Sequence, residues 1–198
     1  MTTDLQVLLG VLATAVLSMP VYVLTGASKR PDALTSGAQG TFVLGSFVRS
    51  WFYWTVSPVV RASLAVGLGP TFYNLLGVAF GIGAGVAFAS GNVTLGGWGV
   101  LLGGMADVLD GRIARAGGLA DARGVFLDST LDRFAEIGAF VGLAVLFRSS
   151  SFTLAMVVIA MGGSLLVSYA RARGESQGVV CKLGVMQRAE RLLLLGLG

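Results

Sequence analysis

The chain has no histidine and a single cysteine, Cys181, among its 198 residues. The first absence excludes every mechanism that depends on a histidine base, and together the two exclude Cys/His metal sites and an intrachain disulfide. Charge is also scarce. Charged residues make up 12% of the chain, about half of what a soluble globular domain carries. A soluble domain is therefore a poor interpretation of this composition.

Apolar residues and glycine are what the chain has in abundance. Its hydrophobic share is 55% and its mean hydropathy is +0.81. Apolar runs of roughly 20 residues recur, and each is long enough to cross a bilayer as a helix. The 30 glycines lie largely within these runs, which indicates closely packed helices. We predict an integral membrane protein of the all-α class, a polytopic bundle of transmembrane helices, with no nucleic-acid partner.

The apolar runs divide the chain into predicted helices. The predicted spans are residues 5–24, 71–90, 94–115, 124–147 and 152–172. A further apolar segment at 184–198 is too short to span, and we interpret it as a truncated span. Residues 42–66 mix tryptophan and phenylalanine with Arg49 and Arg61 and contain Pro58, a pattern typical of an amphipathic helix lying in the membrane interface. Gly77, Gly81 and Gly85 recur every four residues and predict a face for close helix contact.

We place a domain boundary before the interfacial helix. Residues 1–41 form an N-terminal anchor span and loop, and residues 42–198 form the second domain. The links on one side of the predicted bundle hold almost all the Lys and Arg residues, whereas the other side holds only Arg148. The positive-inside rule then places the N-terminus outside the cell and the acid-bearing helix ends at the cytoplasmic face of the inner (plasma) membrane.

Acidic residues are concentrated in one stretch of the sequence. Six of the ten lie between Asp107 and Glu136. Asp107 and Asp110 share one helix face at i and i+3, and Asp128 and Asp132 share another at i and i+4. A short turn joins the two helices, so we expect antiparallel neighbours whose four carboxylates converge. Carboxylates at close range need cations, and oxygen-only ligands favour magnesium, manganese or calcium. Two such ions would suit phosphoryl transfer.

Two other interpretations of these acids remain open. In the first, they form salt bridges with nearby arginines at the membrane edge; the candidates are Arg112, Arg115, Arg123 and Arg133. In the second, they line the path of a divalent-cation transporter. The position of the acids near one membrane face, with no matching acids in the other half, counts against the transporter.

The spacing of this stretch resembles a known family signature. Asp107-x2-Asp110-Gly111-x2-Ala114-Arg115-x8-Gly124-x3-Asp128-x3-Asp132 is similar at all eight positions to the motif of the CDP-alcohol phosphotransferases. The resemblance extends from about residue 42 to the end of the chain, which makes residues 42–198 the expected catalytic domain. It implies a transferase that moves a substituted phosphate from a CDP-linked lipid, CDP-diacylglycerol, to the hydroxyl of a polar alcohol and releases CMP.

The resemblance also implies roles for individual residues. Asp107, Asp110 and Asp128 would hold two divalent cations, Mg or Mn, on the donor pyrophosphate. Asp132 would be the catalytic base on the acceptor hydroxyl and a further metal contact. The residues implied for binding of the CDP donor are Gly111, Ala114, Arg115, Gly124 and Asn74.

A second basic stretch indicates the acceptor. Three arginines lie around one predicted cytoplasmic turn, namely Arg171, Arg173 and Arg191, and the same stretch holds Lys182 and Arg188. Positive-inside bias explains them equally well, but guanidinium groups also suit bidentate phosphate recognition. The stretch resembles the phosphatidylinositol phosphate synthase branch of the family, whose acceptor is inositol phosphate. Glycerol 3-phosphate and free inositol are the alternative acceptors.

The resemblance carries an expectation about completeness as well. Family members have six spans in the catalytic core, whereas this chain ends within the fifth, and the helix at 5–24 is an addition to that core. We expect a homodimer, in contact with membrane lipids, whose interface and activity the missing span would affect.

Overall fold

The computed structural model describes residues 3–25, 45–178 and Leu195, and no strand occurs among them. Six helices account for nearly all of this part of the chain. They are α1 (Thr3–Leu24), α2 (Gly45–Val66), α3 (Pro70–Ala89), α4 (Val93–Ala116), α5 (Ala122–Leu146) and α6 (Ser151–Ser176). The predicted all-α fold is confirmed at this level, while the apolar segment predicted at 184–198 lies outside the described residues except for Leu195.

Helix ends differ from the predicted bounds where local capping was overlooked. Helix α5 begins two residues before Gly124 because Asp121 is its N-cap and accepts a hydrogen bond from the Gly124 backbone N–H at 2.6 Å. Helix α6 continues to Ser176, four residues beyond the predicted end, so that Arg173 is helical as well as Arg171. Pro58 lies inside α2 and does not interrupt it.

The described residues form two compact units, Met1–Gly67 and Leu68–Gly198. In the first unit, aromatic side chains join α1 to α2. The ring of Tyr22, 3% exposed, lies 5.8 Å from that of Phe47 and 5.6 Å from that of Trp54. The indole N–H of Trp51 donates a hydrogen bond to Ser18 Oγ at 3.0 Å. Aromatic ring pairs such as Tyr22 with Phe47 stabilise helix packing by more than the apolar area that they bury.

Helix α3 is the centre of the second unit, because it packs extensively on both α4 and α5. Its glycines make this contact close, as the sequence predicts. A Cβ on Gly85 would overlap the Gly138 carbonyl of α5, and a Cβ on Gly81 would lie 2.6 Å from Ala135. A Cβ on Gly77 would lie 3.7 Å from the Gly103 carbonyl of α4.

The predicted pairing of α4 directly with α5 needs a correction. These two helices touch each other far less than each touches α3. The short turn between α4 and α5 makes these two helices antiparallel. The small residues of α3 let α3 lie against both of them. The carboxylates of α4 and α5 therefore converge beside α3 rather than along a simple two-helix seam.

Two of the described helices are long and apolar enough to cross a membrane, namely α3 and α6. Helices α4 and α5 follow α3 and precede α6 along the chain, and they contain the clustered carboxylates and arginines. Helix α6 in particular has few buried residues and exposes Phe152, Ile159 and Leu166. These properties fit a membrane-associated protein.

Candidate metal centre

Three carboxylates meet where α4 and α5 approach each other. Asp107 and Asp110 of α4 and Asp128 of α5 each offer an oxygen, and these oxygens lie within 4.8 Å of one another. The carboxyl group of Asp110, 4% exposed, faces the charges of both other aspartates. Three like charges at this range are mutually repulsive unless something positive lies between them.

Helix registers also bring Asn74 of α3 to this level. The contact of Gly77 with Gly103 and Ala106 fixes the antiparallel register of α3 on α4, and the contact of Gly81 with Ala135 fixes its register on α5. Moving along both registers from Gly77 and Gly81 places Asn74 level with Asp107 and Asp128. Asn74 is 9% exposed, and its Oδ1 has no hydrogen-bond partner within the described part of the chain.

Asp132 lies one helical turn beyond Asp128 on α5, outside the three-carboxylate group. Its Oδ2 is 3.9 Å from Nη2 of Arg133, so one salt bridge of the kind considered from the sequence is present. A small cavity of about 40 Å³ lies beside Asp132, walled by Gly77 and Gly81 of α3 and Gly103 of α4. Glycines on two neighbouring helices leave this carboxylate accessible within the bundle.

The residues predicted to bind the donor lie around the same helix ends. The guanidinium of Arg115 lies over Gly111, since a Cβ there would be 3.3 Å from Nη1. Ala114 is half-buried and Arg115 is exposed. Gly124 has a local structural role as well, because its N–H completes the α5 cap and a Cβ would lie 2.8 Å from Asp121 Oδ1.

The arginines predicted to bind the acceptor are only partly within the described residues. Arg171 and Arg173 are exposed on the last turns of α6. Arg191, Arg188 and Lys182 lie outside the described residues. The structure thus presents two of the predicted cations to solvent.

Two polar residues near the site had no predicted role. Glu136 of α5 and Ser164 of α6 are 9% and 8% exposed, and the Ser164 hydroxyl donates a hydrogen bond to Glu136 Oε1. Glu136 follows Asp128 and Asp132 at four-residue spacing, so helical periodicity could have identified it. Nothing in the sequence around Ser164 distinguishes it from the other hydroxyl residues of that helix.

The donor set at the cluster fits a hard divalent cation. It consists of carboxylate oxygens alone, from residues on two helices that are fixed by packing on α3. Oxygen ligands in such number select magnesium, manganese or calcium over softer metals. A divalent cation would also neutralise the repulsion among the three carboxylates.

Comparison with known proteins identifies the family. The family model for CDP-alcohol phosphatidyltransferase matches residues 67–197, which include α3–α6 and the whole carboxylate cluster. The chain belongs to the CDP-alcohol phosphatidyltransferase family. Membership confirms the predicted transferase class and stands against the cation transporter.

Two similar members of this family can be aligned with most of the chain. The archaetidylinositol phosphate synthase of Methanothermobacter thermautotrophicus is 35% identical over 70% of this chain and 72% of its own length. The phosphatidylinositol phosphate synthase of Mycobacteroides abscessus is 34% identical over 76% of this chain and 70% of its own.

Solved structures give the same match in three dimensions. The chain resembles Mycobacterium tuberculosis phosphatidylinositol phosphate synthase in complex with manganese and citrate, with a TM-score of 0.65 and 30% identity over 72% of this chain and 70% of that one. The same enzyme with CDP-DAG bound gives a TM-score of 0.62 over 71% and 72%. The predicted divalent-cation cofactor, magnesium or manganese, is confirmed by this family relationship together with the carboxylate cluster.

Proposed function

We propose that this CDP-alcohol phosphatidyltransferase transfers the phosphatidyl group of CDP-diacylglycerol to a hydroxyl of inositol phosphate. The observation that carries the proposal is the convergence of Asp107, Asp110 and Asp128 within 4.8 Å. Two relatives are named as inositol phosphate lipid synthases, and a solved relative has CDP-DAG bound. Exposed Arg171 and Arg173 near one end of the bundle support an acceptor that bears a phosphate.

The chemistry divides among the residues of the site. Asp107, Asp110 and Asp128 would hold two divalent cations. When bound, these cations would neutralise the negative charge on the pyrophosphate oxygens. Asp132 accepts the proton of the acceptor hydroxyl. The hydroxyl oxygen then forms a bond to the phosphorus of the phosphatidyl group, the bond from that phosphorus to the bridging oxygen breaks, and CMP leaves with that oxygen.

Donor binding follows from the same geometry. The guanidinium of Arg115, held over Gly111, would contact the anionic donor. Asn74, with its buried Oδ1 lacking a hydrogen-bond partner among the described residues, would accept a hydrogen bond from the nucleotide. Gly111, Ala114 and Gly124 would leave room for the cytidine.

The membrane arrangement belongs to the same proposal. Helices α3–α6 would cross the membrane as part of a polytopic bundle, with α1 as an additional anchor span and α2 in the interface. The distribution of Lys and Arg supports a carboxylate cluster on the cytoplasmic side of the inner (plasma) membrane and an N-terminus outside. A lipid-linked donor could then keep its acyl chains in the bilayer while its pyrophosphate reaches the carboxylates. We further propose that the protein works as a homodimer.

CMP release tests the proposed reaction directly. The purified protein in lipid nanodiscs is given CDP-diacylglycerol and magnesium or manganese, with inositol phosphate, glycerol 3-phosphate or inositol as acceptor. We expect CMP release that depends on the metal and is fastest with inositol phosphate. Faster CMP release with another acceptor would overturn the acceptor assignment. If none of the three acceptors gives metal-dependent CMP release, the proposed reaction itself is wrong.

The acceptor arginines provide a separate prediction. Arg191→Ala should raise the KM for inositol phosphate by about tenfold or more, because one charge-assisted contact to phosphate is lost. The KM for CDP-diacylglycerol should change by less than about twofold. Arg148→Ala is the matched control, since Arg148 lies in the link between α5 and α6, at the opposite end of these helices from Asp128 and Arg173. Equal effects of Arg191→Ala on both KM values would refute a role in acceptor binding.

A further inference from the structure

Helices α5 and α6 are joined by a buried polar contact between Glu136 and Ser164. The Ser164 hydroxyl donates to Glu136 Oε1, and both residues are less than one-tenth exposed. The other buried side chains of α5 that are described are apolar or glycine. Apolar contacts between helices allow sliding and rotation, whereas a hydrogen bond to a buried carboxylate is satisfied at one register only.

The contact continues from Glu136 to the proposed catalytic base. The second oxygen, Oε2, takes no hydrogen bond among the described residues but lies 3.7 Å from Nε of Arg133. Nη2 of the same guanidinium is 3.9 Å from Asp132 Oδ2. Ser164, Glu136, Arg133 and Asp132 thus form a continuous series of polar contacts from α6 to the proposed base.

The position of this contact determines which residues of α6 face the site. A four-residue link, 147–150, joins α5 to α6, so the two helices run antiparallel. Ser164 is level with Glu136. Because residue numbers rise on α6 as they fall on α5, Ser168 is about level with Asp132, and Arg171 is about level with Ser129. Ser164, Ser168 and Arg171 are spaced i, i+4 and i+7 and share one helix face. Arg171 thus lies about 10.5 Å further along α6 than Ser164, one turn past the level of the base.

From these contacts we infer that Glu136 and Ser164 are positioning residues for the acceptor. They fix the register of α6 on α5 and thereby hold the arginines at the end of α6 at a set distance from Asp132. Fixing the register of two packed elements is the best-attested use of buried polar groups. The inference rests on the proposed function, because it assigns Arg171 and Arg173 to the acceptor.

Steady-state kinetics test the positioning role. Ser164→Ala should raise the KM for inositol phosphate by about tenfold, the factor for loss of one hydrogen bond to a charged group. The KM for CDP-diacylglycerol should stay within about twofold, because the proposed donor-binding residues lie on α3, α4 and α5 and not on α6. Ser164→Thr keeps the hydroxyl and should restore the acceptor KM. Gly163→Ala is the matched control, since nothing lies within 4 Å of a Cβ at that exposed position.

A distance measurement provides a readout that does not depend on activity. Spin labels on Phe126→Cys of α5 and Leu166→Cys of α6, both at exposed positions, are introduced into the Cys181→Ser protein. Double electron–electron resonance should give one narrow distance distribution with Ser164 or Ser164→Thr. With Ser164→Ala the distribution should broaden or shift.

The two measurements separate the possible failures. If the unaltered protein does not use inositol phosphate, the proposed acceptor is wrong, and the distance distributions still decide whether Ser164 fixes the register. If Ser164→Ala leaves both the acceptor KM and the distance distribution unchanged, the positioning role is wrong. A rise in both KM values that Ser164→Thr does not reverse would also overturn it.

Discussion

Asp128→Asn should reduce kcat/KM for CMP release by about 10³-fold or more at ordinary magnesium concentrations. Asparagine keeps the size of the side chain but removes one of three negative charges whose oxygens lie within 4.8 Å. Metal-dependent stabilisation of phosphoryl transfer contributes several kcal/mol, and each 1.36 kcal/mol corresponds to a tenfold change in rate. Manganese binding, measured by electron paramagnetic resonance of the free ion, should weaken in parallel.

The same substitution should not destabilise the metal-free protein. In the absence of cations, Asp128 faces the carboxylates of Asp107 and Asp110, so removing its charge relieves repulsion. We therefore expect the metal-free variant to unfold at the same temperature as the unaltered protein or higher, while the gain in stability on adding manganese becomes smaller. This combination separates loss of metal from loss of structure.

Asp121→Asn is the matched control for this prediction. It removes a negative charge seven residues away, but asparagine is as good an N-cap as aspartate, so the hydrogen bond to the Gly124 N–H is kept. Activity and manganese affinity should be close to those of the unaltered protein. Full activity of Asp128→Asn at ordinary magnesium would contradict the assignment of the carboxylate cluster as the metal centre.

The carboxylate cluster shows how much of the site could be predicted from the sequence. Helical periodicity places Asp107 with Asp110 on one helix, and a short turn requires the next helix to return beside it. These two facts predict convergence with Asp128, although they do not reveal that α3 packs against both helices. The four-residue glycine spacing of α3 likewise predicted close contact, since only small residues allow it.

Other features depend on contacts between distant parts of the chain. Which helix would lie against the glycines of α3 could not be read from their spacing, so the position of α3 against both α4 and α5 was missed. The pairing of Glu136 with Ser164, 28 residues apart, depends on the register of two apolar helices. That register is fixed by packing and not by any pattern in either segment. The extension of α6 to Ser176 was missed because its polar residues were interpreted as a loop.

Gly85→Ala should produce a large loss of stability in the bundle. The new Cβ would overlap the Gly138 carbonyl of α5 and would lie 3.5 Å from the backbone nitrogen of Ala139. Both obstacles are backbone, so no side chain can rotate away and the two helices must separate. Overpacking of this kind costs about 3 kcal/mol or more, which corresponds to a fall in Tm of roughly 10 °C for a chain of this size.

Separation of α3 from α5 should also affect the site. Asp128 is carried by α5, whereas Asp107 and Asp110 are carried by α4, which also packs on α3. Gly85→Ala should therefore weaken manganese binding even at temperatures where the protein remains folded. This effect would act at a distance, because the position of Gly85 on α3 is at least two helical turns from the level of any of the aspartates.

Gly83→Ala is the matched control on the same helix. Nothing lies within 4 Å of a Cβ at this exposed position, and alanine favours a helix over glycine by about 1 kcal/mol. Its Tm, followed by intrinsic fluorescence in detergent, should be unchanged or raised. If Gly85→Ala and Gly83→Ala unfold at the same temperature and bind manganese equally well, close packing of α3 on α5 is not what holds the carboxylates together.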